Sequence, residues 1–321
     1  MLGWRNGTLG LAFWVVSWAA CAQVFPGKPV RIVVPFGAGG VADLTARVVA
    51  QKLSESLGQP VLVDNKPGAG GVVAGDAVAK AEPDGYTLLL LSNGTAVSVG
   101  LFKTLPFDTL RDFAPISTLG TFDMVMVTGV SSRFTTLAEL IAFAKASPGK
   151  LNLGTINIGS TQNLAAELFK TVAGVDMQIV PFNGTPAVIS ALRGGQIDVA
   201  VEILGPVLTH INAKTLRALA MTGKQRSAVL PDVPTARESG LDSYEVSSWN
   251  ALAAPAKTPR NVIDRLNTDI AAALNAPDVR KKLQALNVEA RSSSPAQAAD
   301  LLASEIKRWN EVIVRARLPV Q

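Results

Sequence analysis

Val30-Arg31-Ile32-Val33-Val34-Pro35-Phe36-Gly37-Ala38-Gly39-Gly40 is the stretch that decides the fold, read together with Val41–Leu57 behind it. Val30–Pro35 is almost wholly apolar, as a strand buried on both faces must be. The glycine-rich turn then leads into a segment whose Leu44, Val48 and Leu53 share one helical face. The same order returns along the chain. Strands are expected at Val61–Val63, Thr87–Leu91, Ile116–Val127, Leu151–Thr155, Gln178–Val180, Val199–Val201 and Leu216–Met221. Helices are expected at Gly71–Ala81, Leu137–Ala146, Ser160–Ala173, Pro186–Arg193, Asn261–Leu274, Pro277–Leu286 and Pro295–Arg315. Strands separated by helices imply a parallel α/β architecture. Ile179-Val180-Pro181-Phe182-Asn183-Gly184 echoes Val33-Val34-Pro35-Phe36-Gly37, as two similar lobes would, although chance alone could produce it.

The 321 residues suggest about two domains, and 48% hydrophobic with 17% charged residues excludes wholesale disorder. Cys21 is the only cysteine and His210 the only histidine, so no intramolecular disulfide and no Cys/His zinc site can form. A Ser-His-Asp site has one histidine to draw on, and His210, near the end of a helical stretch, reads as structural. No nucleophile–base pair stands out, and neither a metal nor a cofactor is expected. The net charge is +5, from 30 basic and 25 acidic residues, and it is scattered. Its densest run, Arg280-Lys281-Lys282, is short, and two tyrosines make no stacking platform, so nucleic acid is not an expected partner.

Arg5 is the only charge before Lys28, and Leu9–Ala22 is apolar and ends Ala20-Cys21-Ala22. Residues 1–22 therefore read as a secretory signal peptide, too short in its apolar run to span a bilayer comfortably. A loose lipobox, Trp18-Ala19-Ala20-Cys21, offers lipidation of Cys21 as the lesser alternative. Both readings export the protein.

Four turns rich in small residues precede helices: Gly37-Ala38-Gly39-Gly40, Gly68-Ala69-Gly70-Gly71, Gly159-Ser160-Thr161 and Asn183-Gly184-Thr185-Pro186. Glycine admits close approach to a ligand, and a helix start offers unpaired N–H groups at its positive end. Together they suit an anion such as carboxylate or phosphate. Each such turn also occurs without a ligand. A dinucleotide site is the sharpest rival, because Gly37-x-Gly39-x-x-Ala42 is followed by Asp64 at the end of the next strand. Pro35 at the junction and the export signal weigh against it, and no Walker A loop is present. Asp198 and Glu202 flank an apolar strand, either as solvated ends or as acceptors for a ligand, and Trp249 reads as packing at a lobe junction.

Pro35-Phe36-x-x-Gly39-Gly40-x-x-Asp43-x-x-Ala46-Arg47 resembles the first signature of the tripartite tricarboxylate transporter substrate-binding proteins, the Bug-type receptors. Asn65-Lys66-Pro67-Gly68-Ala69-Gly70-Gly71, Pro83-Asp84-Gly85-Tyr86, Val180-Pro181-Phe182-x-Gly184-x-x-Pro186-Ala187, Gly194-Gly195-Gln196-Ile197-Asp198 and Leu216-Arg217-Ala218-Leu219-Ala220 continue the match in order. The resemblance implies a two-lobed periplasmic binding protein, type II-like, that captures a small organic acid in a cleft and hands it to a membrane permease. It places Phe36, Gly37, Ala38, Gly39 and Gly40 on one wall, with Ser92, Asn93 and Thr95 beside them. Gly159, Ser160, Thr161, Phe182, Gly184, Thr185 and Asp198 are expected on the opposite lobe. Asn163 stands where relatives often carry His, which changes a chargeable donor to a neutral one, and Ala251 stands where Gly is common.

The expected layout puts residues 25–126 with 247–321 in lobe 1 and 127–246 in lobe 2, joined near Met124–Thr128 and Ser247–Ala253. The expected function is an extracytoplasmic receptor, monomeric and without enzymatic activity. The alternatives are a secreted α/β enzyme acting on a small acid and a ligand sensor for a signalling partner.

Overall fold

The computed structural model describes residues 25–315 and Val320. The signal-peptide reading of residues 1–22 and the lipidation of Cys21 lie outside the described residues.

Strand β1 (Val30–Val34) buries every side chain except that of Arg31, which is why its sequence lacks alternation. The glycine turn feeds α1 (Val41–Leu57), which ends at Gly58. β2 (Val61–Asn65) and β3 (Thr87–Ser92) lie parallel to β1 on its two sides, with α2 (Val72–Ala79) between them in sequence. α3 (Asn93–Leu101) follows β3 without a break. No helix was expected there, because its Thr, Val, Ser and Gly residues are weak helix formers and it is buried on nearly every side. A capping box starts it: Gly94 N donates to Ser92 Oγ at 3.1 Å and Ser92 N donates to Thr95 Oγ1 at 3.3 Å.

β4 (Phe113–Gly129) runs for 17 residues, well beyond an ordinary strand, and belongs to both halves of the molecule. The second half contains α4 (Leu137–Ala146), β5 (Asn152–Ile156), α5 (Thr161–Ala173), β6 (Gln178–Phe182), α6 (Thr185–Arg193), β7 (Val199–Ile203), α7 (Leu204–Asn212) and β8 (Leu216–Met221). The chain then returns through β9 (Ser247–Pro255) to α8 (Arg260–Asn275), α9 (Pro277–Ala285), β10 (Val288–Ala290) and α10 (Pro295–Arg315).

The strands run in the order β2-β1-β3-β9-β4-β7-β5-β6, with β8 and β10 also paired to β4. From Phe113 to Asp123, β4 pairs antiparallel with β9, and from Met124 onward it pairs with β7 and β8. Among the described residues β5 to β8 pair with one another and with this last part of β4, apart from a single bridge from Met221 to Thr235, so the sheet is continuous through one shared strand. This is a two-lobed α/β fold. Thr222 ties the two crossings together. It donates from N to Met124 O at 2.9 Å and from Oγ1 to Val246 O at 2.6 Å, and it accepts from Val246 N at 2.8 Å. Trp249 is buried at this junction, as its sequence position suggested.

Candidate functional site

The carboxyl ends of β1, β3, β5, β6 and β7 all point toward one cleft, where open α/β sheets bind ligands. The cavity between them is narrow, with about 30 Å3 of room for water-sized groups. Phe36, Gly37, Gly40, Val41 and Ala42 form one wall. Asp43 holds that wall in shape. Its carboxylate accepts from Gly39 N at 2.9 Å, from Arg47 Nε at 3.0 Å and from Asn65 Nδ2 at 3.0 Å, while Asn65 Nδ2 also donates to Phe36 O. Burial alone would push the Asp43 carboxyl up, but the hydrogen bonds from Arg47, Gly39 and Asn65 outweigh it and hold the group below its ordinary value.

Ile156, Asn157, Thr161, Gln162, Gly184 and Thr185 form the facing wall. Ser92 stands to one side, and Phe122, Ile203, Ser248 and Asn250 line the base. Thr161 and Gln162 begin α5, Gly184 and Thr185 begin α6, and Val41 and Ala42 begin α1. Three helix N-termini therefore converge, and their first-turn N–H groups have no partner within their own helices. Among the described residues no Lys, Arg or His lines the cavity. An anion here is held by dipoles and neutral donors rather than by a counter-ion. Asn250 is 1% exposed, and among the described residues neither its Oδ1 nor its Nδ2 has a hydrogen-bond partner. Buried carboxamides are normally paired, so an unpaired one at the base of a cavity marks a place for a ligand or its water.

Glu202 lies behind the second wall and is 0% exposed. Its Oε2 accepts from Thr185 Oγ1 at 3.0 Å and from Gln162 Nε2 at 3.5 Å. Burial pushes its carboxyl up to about 7, and the hydrogen bonds from Thr185, Gln162 and Ile203 N offset only part of that. The solvated-end reading of Glu202 is thereby corrected.

Of the residues expected on the cleft, Phe36, Gly37, Gly40, Ser92, Thr161, Gly184 and Thr185 line this cavity. The other expected residues lie outside its lining. Ala38 and Gly39 are exposed outside the cavity, and Gly39 takes φ +83° while donating to Asp43. Asn93 donates from Nδ2 to Ser247 O at 2.9 Å, and Thr95 is spent on the α3 cap. Ser160 caps α5, accepting from Asn163 N at 3.1 Å. Asn163 braces the Gly159 turn, accepting from Gly159 N at 3.2 Å and donating to Thr155 Oγ1 at 3.4 Å. Gly159, at φ +79°, comes so close to Gly70 of the first half that a Cβ would sit 2.9 Å from Gly70 Cα. Phe182 packs against the apolar cluster of the second lobe. Asp198 is at the wrong end of β7, the amino end, where its Oδ2 accepts from Asn152 N at 2.8 Å and anchors β5. His210 lies outside this cavity, its Nδ1 3.3 Å from Thr215 Oγ1.

Ser248, Asn250, Asn157 and Gln162 were missed. The available signal was polarity out of place: Asn250 interrupts the apolar run Trp249–Pro255, and Gln162 sits in the first turn of α5. Asp64, the ribose-binding acid of the dinucleotide alternative, stands instead near Arg31 and Lys66 at 3.9 and 3.8 Å.

The family model of the tripartite tricarboxylate transporter family receptor matches residues 45–318. The chain belongs to this family. BugT of Bordetella pertussis is 38% identical over 91% of this chain and 90% of its own. Rpa4515 of R. palustris, solved with adipate, superposes with a TM-score of 0.87 at 33% identity, over 91% of this chain and 98% of that one. MatC of Rhodopseudomonas palustris, solved with bound malate, gives 0.86 at 33% identity, over 90% and 100%. The family consists of periplasmic solute receptors and not of enzymes, which agrees with the sequence reading and disposes of the secreted-enzyme alternative. Among the described residues of this tripartite tricarboxylate receptor, no helix is long and apolar enough to cross a membrane.

Proposed function

We propose that this receptor captures a small organic carboxylate in the periplasm and delivers it to the permease of a tripartite tricarboxylate transporter. The observation that carries the reading is the convergence of the α1, α5 and α6 N-termini on one cavity that, among the described residues, contains the unpaired Asn250 and no basic side chain. A carboxylate supplies the acceptors that these donors lack. The adipate and malate bound by the two R. palustris neighbours support the same class.

Residues 25–126 with 247–321 form lobe 1 and residues 127–246 form lobe 2, and they close on the ligand about the Thr222-tied crossing of β4 and β9. Phe36, Gly37, Gly40, Ser92, Thr161, Gly184 and Thr185 contact the ligand, together with Asn250 and Ser248. Residues 1–22 direct export and are removed, no lipid is attached at Cys21, and the mature receptor is a monomer that meets permease subunits alone.

A thermal-shift panel of adipate, malate, succinate and citrate tests the class, since an acid at 100 times its Kd adds about 2.7 kcal/mol of stability. At least one acid is expected to raise Tm, and small-angle scattering is expected to show the molecule contract with it. No shift with any of the four, at any pH from 5.5 to 8, would overturn the reading.

A further inference from the structure

Glu202 presents a conflict within the site. A carboxylate ligand enters beside a buried carboxyl group that carries no cation. Gln162 from α5 and Thr185 from α6 are the side chains that face it, and both also line the cavity. β4 sets Val125 opposite it in register, and the nearest acid on that strand, Asp123, meets Asn287 and Glu289 instead. Toward α7 the neighbouring polar group is the Ile203 amide. Among the described residues no Lys, Arg or His from β4, β5, α5, α6, α7 or β8 forms an ion pair with it.

The hydrogen bonds have a direction that matters. An ionised carboxylate accepts only, so it takes the Thr185 O–H and a Gln162 N–H for itself. The Thr185 hydroxyl, with its single proton spent, then turns lone pairs toward the cavity, the wrong polarity for a carboxylate. A protonated Glu202 can donate to Thr185 Oγ1, which frees the Thr185 hydroxyl proton to point at the ligand. The change also removes the like charge behind the wall.

We propose that the cleft takes up its acid ligand together with one proton, which Glu202 holds while the cleft is occupied. The balance is simple: the Glu202 carboxylate plus one proton from solvent gives the carboxyl, and release of the ligand returns the proton. Glu202 is thus a positioning residue that sets the donor polarity of Thr185. The inference rests on the carboxylate reading above and adds a requirement to it.

The titration follows by linkage. Burial already places the Glu202 group of the free receptor near neutral pH, and an anionic ligand raises it further. Below that range the proton is already in place and binding takes up none. Above it each binding event takes up as much as one proton, so Kd rises with pH by up to ten-fold per unit.

The experiment is calorimetric titration of the full mature receptor with adipate, malate, succinate and citrate from pH 5.5 to 9, where the pH-dependent part of interest lies above the acids' own ionisation. Phosphate and Tris buffers are compared at pH 8, because their different ionisation heats count the protons directly. For the acid that binds, uptake near one proton at pH 8, falling toward zero by pH 5.5, is expected. Glu202→Gln, which keeps the shape and cannot ionise, is expected to bind with a Kd that no longer varies with pH. A Kd flat across the range with no buffer dependence in the wild type would overturn proton coupling while leaving carboxylate binding intact. A pH slope that persists in Glu202→Gln would also overturn it, by assigning the proton elsewhere. Failure of all four acids at pH 5.5, where Glu202 is already protonated, would overturn the carboxylate reading and this inference with it.

Discussion

Thr161 Oγ1 and Ser248 Oγ stand 3.2 Å apart, a contact between the first residue of α5 and the crossing strand β9. One of these hydroxyls donates to the other, and both line the cavity. Because Ser160, not Thr161, caps α5, the two neighbours have separable roles.

Thr161→Val is expected to raise the Kd for the bound acid by roughly ten- to a hundred-fold, the worth of about 1.5–3 kcal/mol for a hydrogen bond to a charged partner. Ser160→Ala is expected to cost about 1 kcal/mol of stability through the lost cap, with Kd close to wild type. Calorimetric titration beside apo thermal unfolding checks both. Equal effects of the two changes on Kd would remove Thr161 from the site.

Gly37 lines the cavity and Gly39 does not, although both stand in one turn. A Cβ on Gly37 meets nothing within 4 Å, so Gly37→Val is expected to fold with stability within about 0.5 kcal/mol of wild type. Its side chain then occupies ligand space, and Kd should rise at least ten-fold. Gly39→Val behaves oppositely, because φ +83° strains any L side chain by roughly 1–2 kcal/mol while its Cβ faces open space outside the cavity. Unfolding and titration curves for the pair separate steric blocking from backbone strain.

Asp43→Asn leaves Gly39 N and Arg47 without their charged acceptor. A loss of about 1.5–3 kcal/mol is expected, together with weaker binding, since the Phe36–Gly40 wall loses its brace. The depressed pKa of Asp43 has a fixed sign. Its stabilisation is fully present above the unfolded carboxylate value and is lost as pH falls through the folded one. The stability gap between wild type and Asp43→Asn should therefore narrow as the solution is acidified below about pH 4. Urea unfolding at pH 7 and pH 3 reads it.

Glu202 has the opposite sign, being raised to about 7 by burial. The unfolded chain ionises first, so the native state loses stability between about pH 4.5 and pH 7 and then levels off. Glu202→Gln is expected to be more stable than wild type at pH 8, by on the order of 1–3 kcal/mol, and nearly equal at pH 5. Apo Tm at the two pH values, measured without any acid present, checks this independently of binding.

The strand, glycine turn and helix at Val30–Leu57 were legible in the sequence because both halves of the pattern are local: an unbroken apolar run and a 3.6-residue period. The same holds for β5, α5, β6 and α6. Local patterning also brought Gly37, Gly40, Thr161, Gly184 and Thr185 to the cleft, since a turn at the carboxyl end of a parallel strand has one place to be, while Phe36 came from the family resemblance. α3 escaped because a helix buried all round has no polar face to read. Asp198 and Glu202 look alike as the two ends of one apolar strand, yet one anchors β5 at the amino end and the other lies sealed behind the cavity. Strand direction relative to the cleft separates them, and direction comes from how β7 pairs with β4 and β5. Asn250 and Ser248 reach the base of the cleft only because β9 lies against β4 from Phe113 to Asp123, more than 120 residues away along the chain. The sequence thus determined the elements and the turns that face a ligand, both set by contacts between near neighbours. The tertiary structure decided which polar groups are left unpaired inside, because burial and pairing depend on segments that meet only after the chain has crossed between lobes twice.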